Sequence, residues 1–208
     1  MNTENNKPKM ADPFFETLAN LSNERDAIGD LIWLCLSYDG DYGNGMAYYL
    51  KKGIEMEYAY AHAIIYQQYI RGKNWLNLSD DEAMEHLKIA AEMEDDNALN
   101  HLGILHYFGE RFKKDIEKAV HYFYKAAILG NENALFNLGK IMECDPDGDI
   151  DDALEDYKLG AELGSKHCAN AIVEIALKRG DDELYKEFEP EIRVWKKMRH
   201  IDRNRIVD

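Results

Sequence analysis

The sequence is short of several features that define common protein classes. Among its 208 residues there are only 4 prolines and 3 cysteines, and no apolar run approaches the roughly 20 residues of a membrane-spanning helix. The first residues also lack the apolar segment and cleavage site of a secretory signal, so we expect a cytoplasmic protein. The scarcity of proline favours helix. The cysteines Cys35, Cys144 and Cys168 lie among apolar neighbours in predicted helices, so they are expected to be buried and reduced.

Basic residues are outnumbered. The chain has 25 Lys and Arg against 40 Asp and Glu, which gives a formal net charge of −15. A surface of that sign repels phosphate backbones, so general nucleic-acid binding is not expected. The same field would steer a basic protein partner toward the chain. The alternative is that the charge serves solubility alone.

The feature that the sequence does have is an internal repeat. Small or apolar residues open the first helix (helix A) of each unit at Ala27, Ala61, Ala98, Ala134 and Cys168, with intervals of 34, 37, 36 and 34 residues. A second set of markers lies early in the following helix (helix B) at Met46, Ala83, Ala119 and Ala153, and each stands 15 residues before the next opener. Variation in length is therefore confined to the turn inside each repeat. A recurrence of this length predicts stacked helical hairpins.

The predicted fold is all-α, a right-handed α-α superhelix of about five helix-turn-helix repeats. Residues 1–11 are a predicted disordered leader, and 12–22 a short capping helix that begins at Asp12-Pro13. The solenoid is expected over 23–199, with a basic tail over 200–208. Three of the B helices are predicted to start at N-cap residues. These are Ser79, which forms a capping box with Glu82, and the aspartates Asp115 and Asp149.

The third repeat carries a resemblance to a known family. Its pattern is Ala98, Leu102-Gly103, Gly109, Lys118-Ala119, Tyr122, Lys125-Ala126-Ala127 and Gly130. This pattern resembles the Sel-one-like repeat, a relative of the tetratricopeptide repeat. The unit from Ala134 to Gly164 is similar, whereas the second repeat has Tyr66 in place of the helix A glycine. The resemblance implies a scaffold that binds other proteins.

By the same resemblance, helix A lines a concave groove. Residues two, six, nine and ten beyond each opener are expected to face it. The predicted partner-binding residues are Trp33, Gln67, Arg71, Asn100, Ile104, Tyr107, Phe108, Phe136, Lys140, Asn170 and Glu174. The anchors among them are Trp33, Tyr107, Phe108 and Phe136, because aromatic side chains dominate interface energetics. In an alternative register, shifted by one residue and hence by about 100°, some of these aromatics are core.

Catalytic and metal-binding patterns are not apparent. None of the seven histidines forms the i, i+4 pair of a helical zinc site, and no phosphate loop or nucleophile motif is present. The acidic stretch from Asp145 to Asp152 invites comparison with a calcium loop, but Gly148 is its fourth residue rather than its sixth, and position twelve is Asp156. A turn leading into an acidic helix cap explains it more simply. No cofactor, metal or enzymatic activity is therefore expected.

Three hypotheses of function follow. The first is a non-enzymatic, cytoplasmic scaffold that binds a basic protein, most concretely an immunity protein that neutralises a toxin domain. The second is a regulatory adaptor that recruits a signalling or envelope-assembly protein through a peptide segment. The third is a calcium-binding or enzymatic protein that uses the acidic stretch.

Overall fold

The computed structural model of the chain describes residues 25–37 and 43–190, and these ranges contain helices and no strand. The predicted all-α repeat fold is confirmed. The predicted leader, capping helix and basic tail lie outside the described residues. The helices are α1 (Arg25–Ser37), α2 (Gly43–Glu55), α3 (Ala59–Ile70), α4 (Asp80–Glu92), α5 (Asp96–Phe108), α6 (Ile116–Ile128), α7 (Glu132–Cys144), α8 (Ile150–Glu162) and α9 (Lys166–Arg179), followed by helical backbone over 182–190.

The repeat markers occupy equivalent places in these helices. Each opener is the third residue of an odd-numbered helix, and each second marker is the fourth residue of an even-numbered one. All nine markers are buried, and Ala27, the most exposed, shows only 9% of its surface. The register derived from the sequence is therefore the register of the core.

The helix B starts are capped as predicted. The Ser79 hydroxyl accepts a hydrogen bond from the backbone N–H of Glu82, and the Glu82 carboxylate accepts one from the N–H of Ser79, at 2.8 Å. Asp115 accepts from the N–H of Lys118 at 3.0 Å, and Asp149 caps α8 by accepting from the N–H of Asp151 at 2.8 Å. These bonds satisfy donors that the first turn of a helix leaves without an intrahelical partner.

The described residues divide into two compact units, unit 1 up to Leu102 and unit 2 from Gly103, and each has its own core. In unit 1 the core gathers apolar side chains of α1, α2 and α3, with Tyr49 the largest fully buried member. In unit 2 the core is formed by α8, α9 and the stretch 182–190, around Tyr157 and Ile172. Helix α7 packs against α6, α8 and α9 within unit 2.

Glycine allows close approach between the two helices of a repeat in unit 2. A β-carbon added to Gly103 would lie 2.6 Å from the ring of Phe123, and one added to Gly139 would lie 2.5 Å from the ring of Tyr157. No real side chain tolerates such separations without a shift of its neighbours. The helix A glycine of the pattern therefore makes room for an aromatic ring of helix B.

Small residues also meet where one repeat follows another. Eight residues before each opener stand Gly53, Ala90, Ala126 and Gly160, all buried. A β-carbon on Gly53 would collide with the methyl group of Ala61, and one on Gly160 would collide with the thiol of Cys168. Small side chains on both sides let these backbones pack closely.

The prediction for the cysteines is partly wrong. All three are free thiols, and Cys35 and Cys168 are buried, but Cys144 is exposed. Cys144 is the last residue of α7, where the helix ends in the exposed acidic turn. Its apolar neighbours Ile141 and Met142 are half-buried, whereas the thiol is exposed.

Candidate partner-binding surfaces

Burial separates the predicted groove positions into two groups. Two residues beyond the opener, Gly29, Ala63 and Asn100 are buried, with Asn100 only 7% exposed, whereas Phe136 and Asn170 are half-buried. Six and ten residues beyond the opener, every side chain is half-buried or exposed. The later positions of helix A therefore supply the accessible face, and Asn100 adds little surface to it.

In unit 1 an aromatic cleft lies beside the predicted anchor Trp33. It encloses about 300 Å³ and is lined by Gly29, Asp30, Trp33, Tyr58 and Tyr60. Trp33 is 59% exposed, and the Tyr58 and Tyr60 ring centroids are 5.8 Å apart at 51°. Gly29 shapes the cleft, because a β-carbon at this position would lie 2.6 Å from the Tyr58 hydroxyl oxygen.

The chemistry of this aromatic cleft suits a cation. The faces of tryptophan and tyrosine rings attract an ammonium or guanidinium group, and an adjacent carboxylate such as that of Asp30 adds a charged hydrogen-bond acceptor. Burial raises the pKa of Tyr60, with the nearby Tyr58 and Asp95 adding to the effect, so its hydroxyl remains a neutral donor. The cleft can therefore accept the end of a lysine or arginine side chain.

The other predicted residues of unit 1 lie on α3 and at its C-terminal end. Gln67 is half-buried, and Arg71 is the exposed C-cap residue of α3. His101 has its pKa lowered by burial and, secondarily, by the charge of Arg71, so the two side chains share one environment. The ring of His101 meets that of Tyr66 edge to face at 5.8 Å.

In unit 2 the predicted residue Lys140 belongs to a charge network between α7 and α9. Its ammonium lies 2.7 Å from the carboxylate of Glu143, which also faces Lys178 at 3.5 Å and accepts a bond from the Tyr157 hydroxyl at 3.2 Å. These bonds lower the pKa of Glu143, with the Lys140 hydrogen bond the largest cause. The predicted residue Glu174 is exposed and contributes to raising the pKa of Lys140.

The remaining predicted aromatics of unit 2 differ in exposure. Phe108 is 64% exposed and meets the half-buried Tyr107 edge to face at 5.1 Å. Ile104, one turn earlier on α5, is half-buried. Phe136 is half-buried between the rings of Tyr157 and His167, and Asn170 is half-buried on α9.

The acidic stretch between α7 and α8 uses its carboxylates as turn and cap acceptors. Asp145 accepts from the N–H of Asp147 at 3.1 Å, Asp149 caps α8, and Asp151 pairs with Arg179 at 2.6 Å. Over residues 25–37 and 43–190 no group of three His, Cys, Asp or Glu side chains is placed to hold a metal ion.

A histidine pair links α3 and α4 in unit 1. The Nδ1 atoms of His62 and His86 are 2.8 Å apart, so one ring donates to the other. Burial lowers the pKa of both histidines and is the largest cause in each case. The pKa of His62 falls to about 4. Both rings are therefore neutral at neutral pH.

Sequence reasoning missed three of the five residues that line the aromatic cleft. Tyr58 and Tyr60 stand before the opener Ala61, whereas the register counted only positions beyond an opener. Their i, i+2 spacing at a helix start was the available signal, because two residues so spaced do not share one helical face. Asp30 follows Gly29 on the exposed side of α1.

With this geometry in place, comparison with known proteins identifies the repeat. The Sel1 repeat model matches residues 58–95 and 96–131. The chain carries two Sel1 repeats. They are the second and third units of the predicted register, which confirms the resemblance found at Ala98 to Gly130.

Several solved structures share the fold of this chain. A Sel1 repeat protein from Oxalobacter formigenes is 24% identical with a TM-score of 0.69, over 86% of this chain and 77% of that one. A protective antigen of uropathogenic Escherichia coli with this fold is 21% identical with a TM-score of 0.63, over 88% of this chain and 40% of that one. An immunity protein from Pseudomonas aeruginosa is 16% identical with a TM-score of 0.68, over 90% and 76%. No curated protein sequence matches significantly.

Sel1 repeats generally serve as scaffolds for protein interaction. None of the helices described between residues 25 and 190 is both long and apolar enough to cross a bilayer.

Proposed function

We propose that this Sel1-repeat chain is a non-enzymatic scaffold that binds a basic protein, and that it acts as a cytoplasmic immunity protein that neutralises a toxin domain. The partner inserts a lysine or arginine side chain into the aromatic cleft of unit 1. The accessible helix A residues of unit 2, led by Phe108, form a separate contact surface for the same class of partner.

The aromatic cleft is the observation that carries this proposal. Trp33 is 59% exposed beside two tyrosines and a carboxylate, and an exposed aromatic patch with a polar rim is typical of an interaction site. Aromatic anchors in a cleft are typical of the few residues that dominate binding energy. The net charge of −15 has the sign that attracts a cationic partner from a distance.

The comparisons support the proposal at the level of fold. Sel1 repeats generally take part in protein interaction, and one structure with a similar fold is an immunity protein. Immunity against a toxin domain also fits the charge, because many toxins that attack nucleic acid carry a basic surface and can be blocked by an acidic protein.

The first test is the binding of a small cation to the aromatic cleft. The probe is N-acetyl-arginine amide, titrated into the full-length chain and followed by calorimetry, a readout that does not depend on Trp33 itself. We expect a saturable change in the wild type that is lost in Trp33→Ala and weakened in Asp30→Asn. Tyr124→Ala, an equally exposed aromatic on α6, is the matched control and should bind as the wild type does. Equal binding by all four proteins would exclude the cleft.

The second test addresses the immunity role. Basic proteins captured by the wild type and lost with Trp33→Ala are expressed in cells with and without the chain. A partner that stops growth by itself, and is tolerated with the wild type but not with Trp33→Ala, supports immunity. A harmless partner held through a short peptide would instead support the adaptor hypothesis and contradict immunity.

A further inference from the structure

We propose that the turn between α5 and α6 in unit 2 is a binding pocket for a phosphate group. It encloses about 320 Å³ and is lined by His106, Phe112, Lys113, Lys114, Asp115 and Lys118. This pocket is separate from the aromatic cleft, and it would bind an anion rather than a cation. Binding of phosphate here is an additional property, beyond the proposed function.

The turn is held in place by its backbone. The N–H of Asp115 donates to the carbonyl of His106 at 2.9 Å, which closes the loop between the two helices. Gly109 takes a left-handed conformation with a φ of 77°, and a β-carbon there would lie 3.1 Å from the backbone nitrogen of Lys114. A loop fixed in this way loses little conformational freedom when it binds a ligand.

The charge of the pocket opposes that of the whole chain. Three lysines line it against one aspartate, in a protein whose net charge is −15. The carboxylate of Asp115 already accepts from the N–H of Lys118 at 3.0 Å and pairs with its ammonium at 3.5 Å. The ammonium of Lys114 lies over the ring of Tyr107 at 5.4 Å. The pocket is thus a local cationic site.

His106 has a buried ring nitrogen that is available for a hydrogen bond to a ligand. Its ring is stacked between Phe112 at 4.5 Å and Tyr122 at 5.5 Å, and the residue is only 8% exposed. Its Nδ1 is buried and has no hydrogen-bond partner among the described residues. A buried polar atom without a hydrogen bond costs free energy. When the proton is on Nδ1, the ring of His106 can donate a hydrogen bond to an acceptor that enters the pocket, and this bond removes the cost.

These features favour a phosphate group over other anions. The charged donors in the lining are lysines, whose ammonium groups bind phosphate oxygens as point charges, whereas a planar carboxylate is best matched by the fork of arginine. The cavity volume is at the lower end for a ligand site, so it fits one small headgroup. A nucleic-acid strand would meet the repulsion of the acidic body.

The experiment titrates inorganic phosphate into the full-length chain at constant ionic strength and follows the ¹H–¹⁵N spectrum. We expect saturable shifts confined to residues 106–118. Lys113→Gln with Lys114→Gln should weaken binding by about tenfold or more, since two charge-assisted contacts are lost. His106→Phe keeps the stacking and removes Nδ1, so it should weaken binding while the protein stays folded.

The matched control is Lys125→Gln with Lys158→Gln, which removes the same charge from exposed sites of unit 2. It should bind phosphate within roughly twofold of the wild type. Equal loss in the control, shifts spread over the surface, or equal binding of acetate would overturn the proposal. Phosphoserine as a second ligand tells whether the group is accepted as an ester, and its binding at the same residues also supports the pocket. Trp33→Ala should bind phosphate normally whatever becomes of the proposed function.

Discussion

At the scale of single residues, two neutral histidines make the core of unit 1 sensitive to acid. The ring of His62 is 6% exposed and shares a hydrogen bond with His86. In the folded state its pKa is about 4, against 6.5 in the absence of burial. As pH falls below 6.5, the unfolded chain takes up protons that the folded chain does not, so the folded state loses stability.

The histidine pair predicts a pH dependence that mutation can isolate. Replacing His62 and His86 by Gln should reduce the loss of unfolding free energy between neutral pH and about pH 5, by an amount on the order of 2 kcal/mol. The measurement is urea denaturation across this pH range, with the exposed His121→Gln as control. Burial raises the pKa of Asp156 to about 6, so this carboxyl makes the folded state more stable as pH falls and partly offsets the histidines. The effect of the histidines is therefore the difference between the pH profiles of the variant and the wild type. Parallel pH profiles would contradict the assignment.

The cysteines predict a second residue-scale result. Burial raises the pKa of Cys35 and Cys168 to about 11, whereas Cys144 is exposed. Because the thiolate is the reactive form, one thiol per chain should react promptly with a disulfide reagent in the native protein. All three should react after denaturation. In Cys144→Ser the prompt phase should disappear, and its survival would show that a buried thiol is accessible.

The residue scale is also where sequence reasoning reached least far. His62 and His86 are 24 positions apart, and nothing in their spacing indicates that their rings meet. The cleft at Trp33 depends on Tyr58 and Tyr60, which lie at the start of another helix. Such pairings arise from how successive helices pack, and a helical periodicity gives only the face of each helix by itself.

At the scale of helices, the close approach of α7 and α8 depends on a glycine. Gly139→Ala would normally favour a helix by about 1 kcal/mol. Here the new methyl group would meet the fully buried ring of Tyr157, so we expect a net destabilisation of about 1–3 kcal/mol. Thermal unfolding would measure it, with Lys158→Ala on the exposed side of α8 as control. A gain in stability would show that the ring can move aside.

The helices themselves were predictable because several signals agree. The openers and second markers are all buried, and Ser79, Asp115 and Asp149 all cap the helices that they were predicted to start. Small residues at a fixed period, polar caps and a lack of proline all favour the same hairpins. Cys144 departs from the pattern because it is at a helix end, where periodicity no longer determines the exposed side.

At the scale of the whole molecule, the excess of negative charge should make stability depend on salt. A net charge of −15 repels itself in the compact state, and salt screens that repulsion. We expect the melting temperature to rise from low to moderate NaCl by a few degrees, which corresponds to about 1 kcal/mol. An equal osmolality of glycerol is the control for non-ionic effects. A fall with salt would show that attractive pairs, such as Lys140 with Glu143, outweigh the repulsion.

The all-α repeat fold can be predicted from the sequence because the same pattern of small and apolar residues recurs in every repeat. Each candidate binding surface is found in one repeat, so its residues form no recurring pattern. The phosphate pocket illustrates the difference. Two of its lysines, Lys113 and Lys114, stand in a turn whose equivalents in the other repeats contain different residues, so no comparison between repeats could indicate it. Trp33 and Phe108 are exposed, but their exposure depends on the neighbours that surround each helix.

The fixed distance from each second marker to the next opener has a consequence for how such a gene can be edited. Removing residues 98–133 would place Ala134 15 positions after Ala83, the spacing found elsewhere in the chain. Ala90 would then stand eight positions before an opener, as it does now. Units of this kind can therefore be excised or duplicated whole at the DNA level, and the number of hairpins becomes an adjustable quantity rather than a fixed property of the protein.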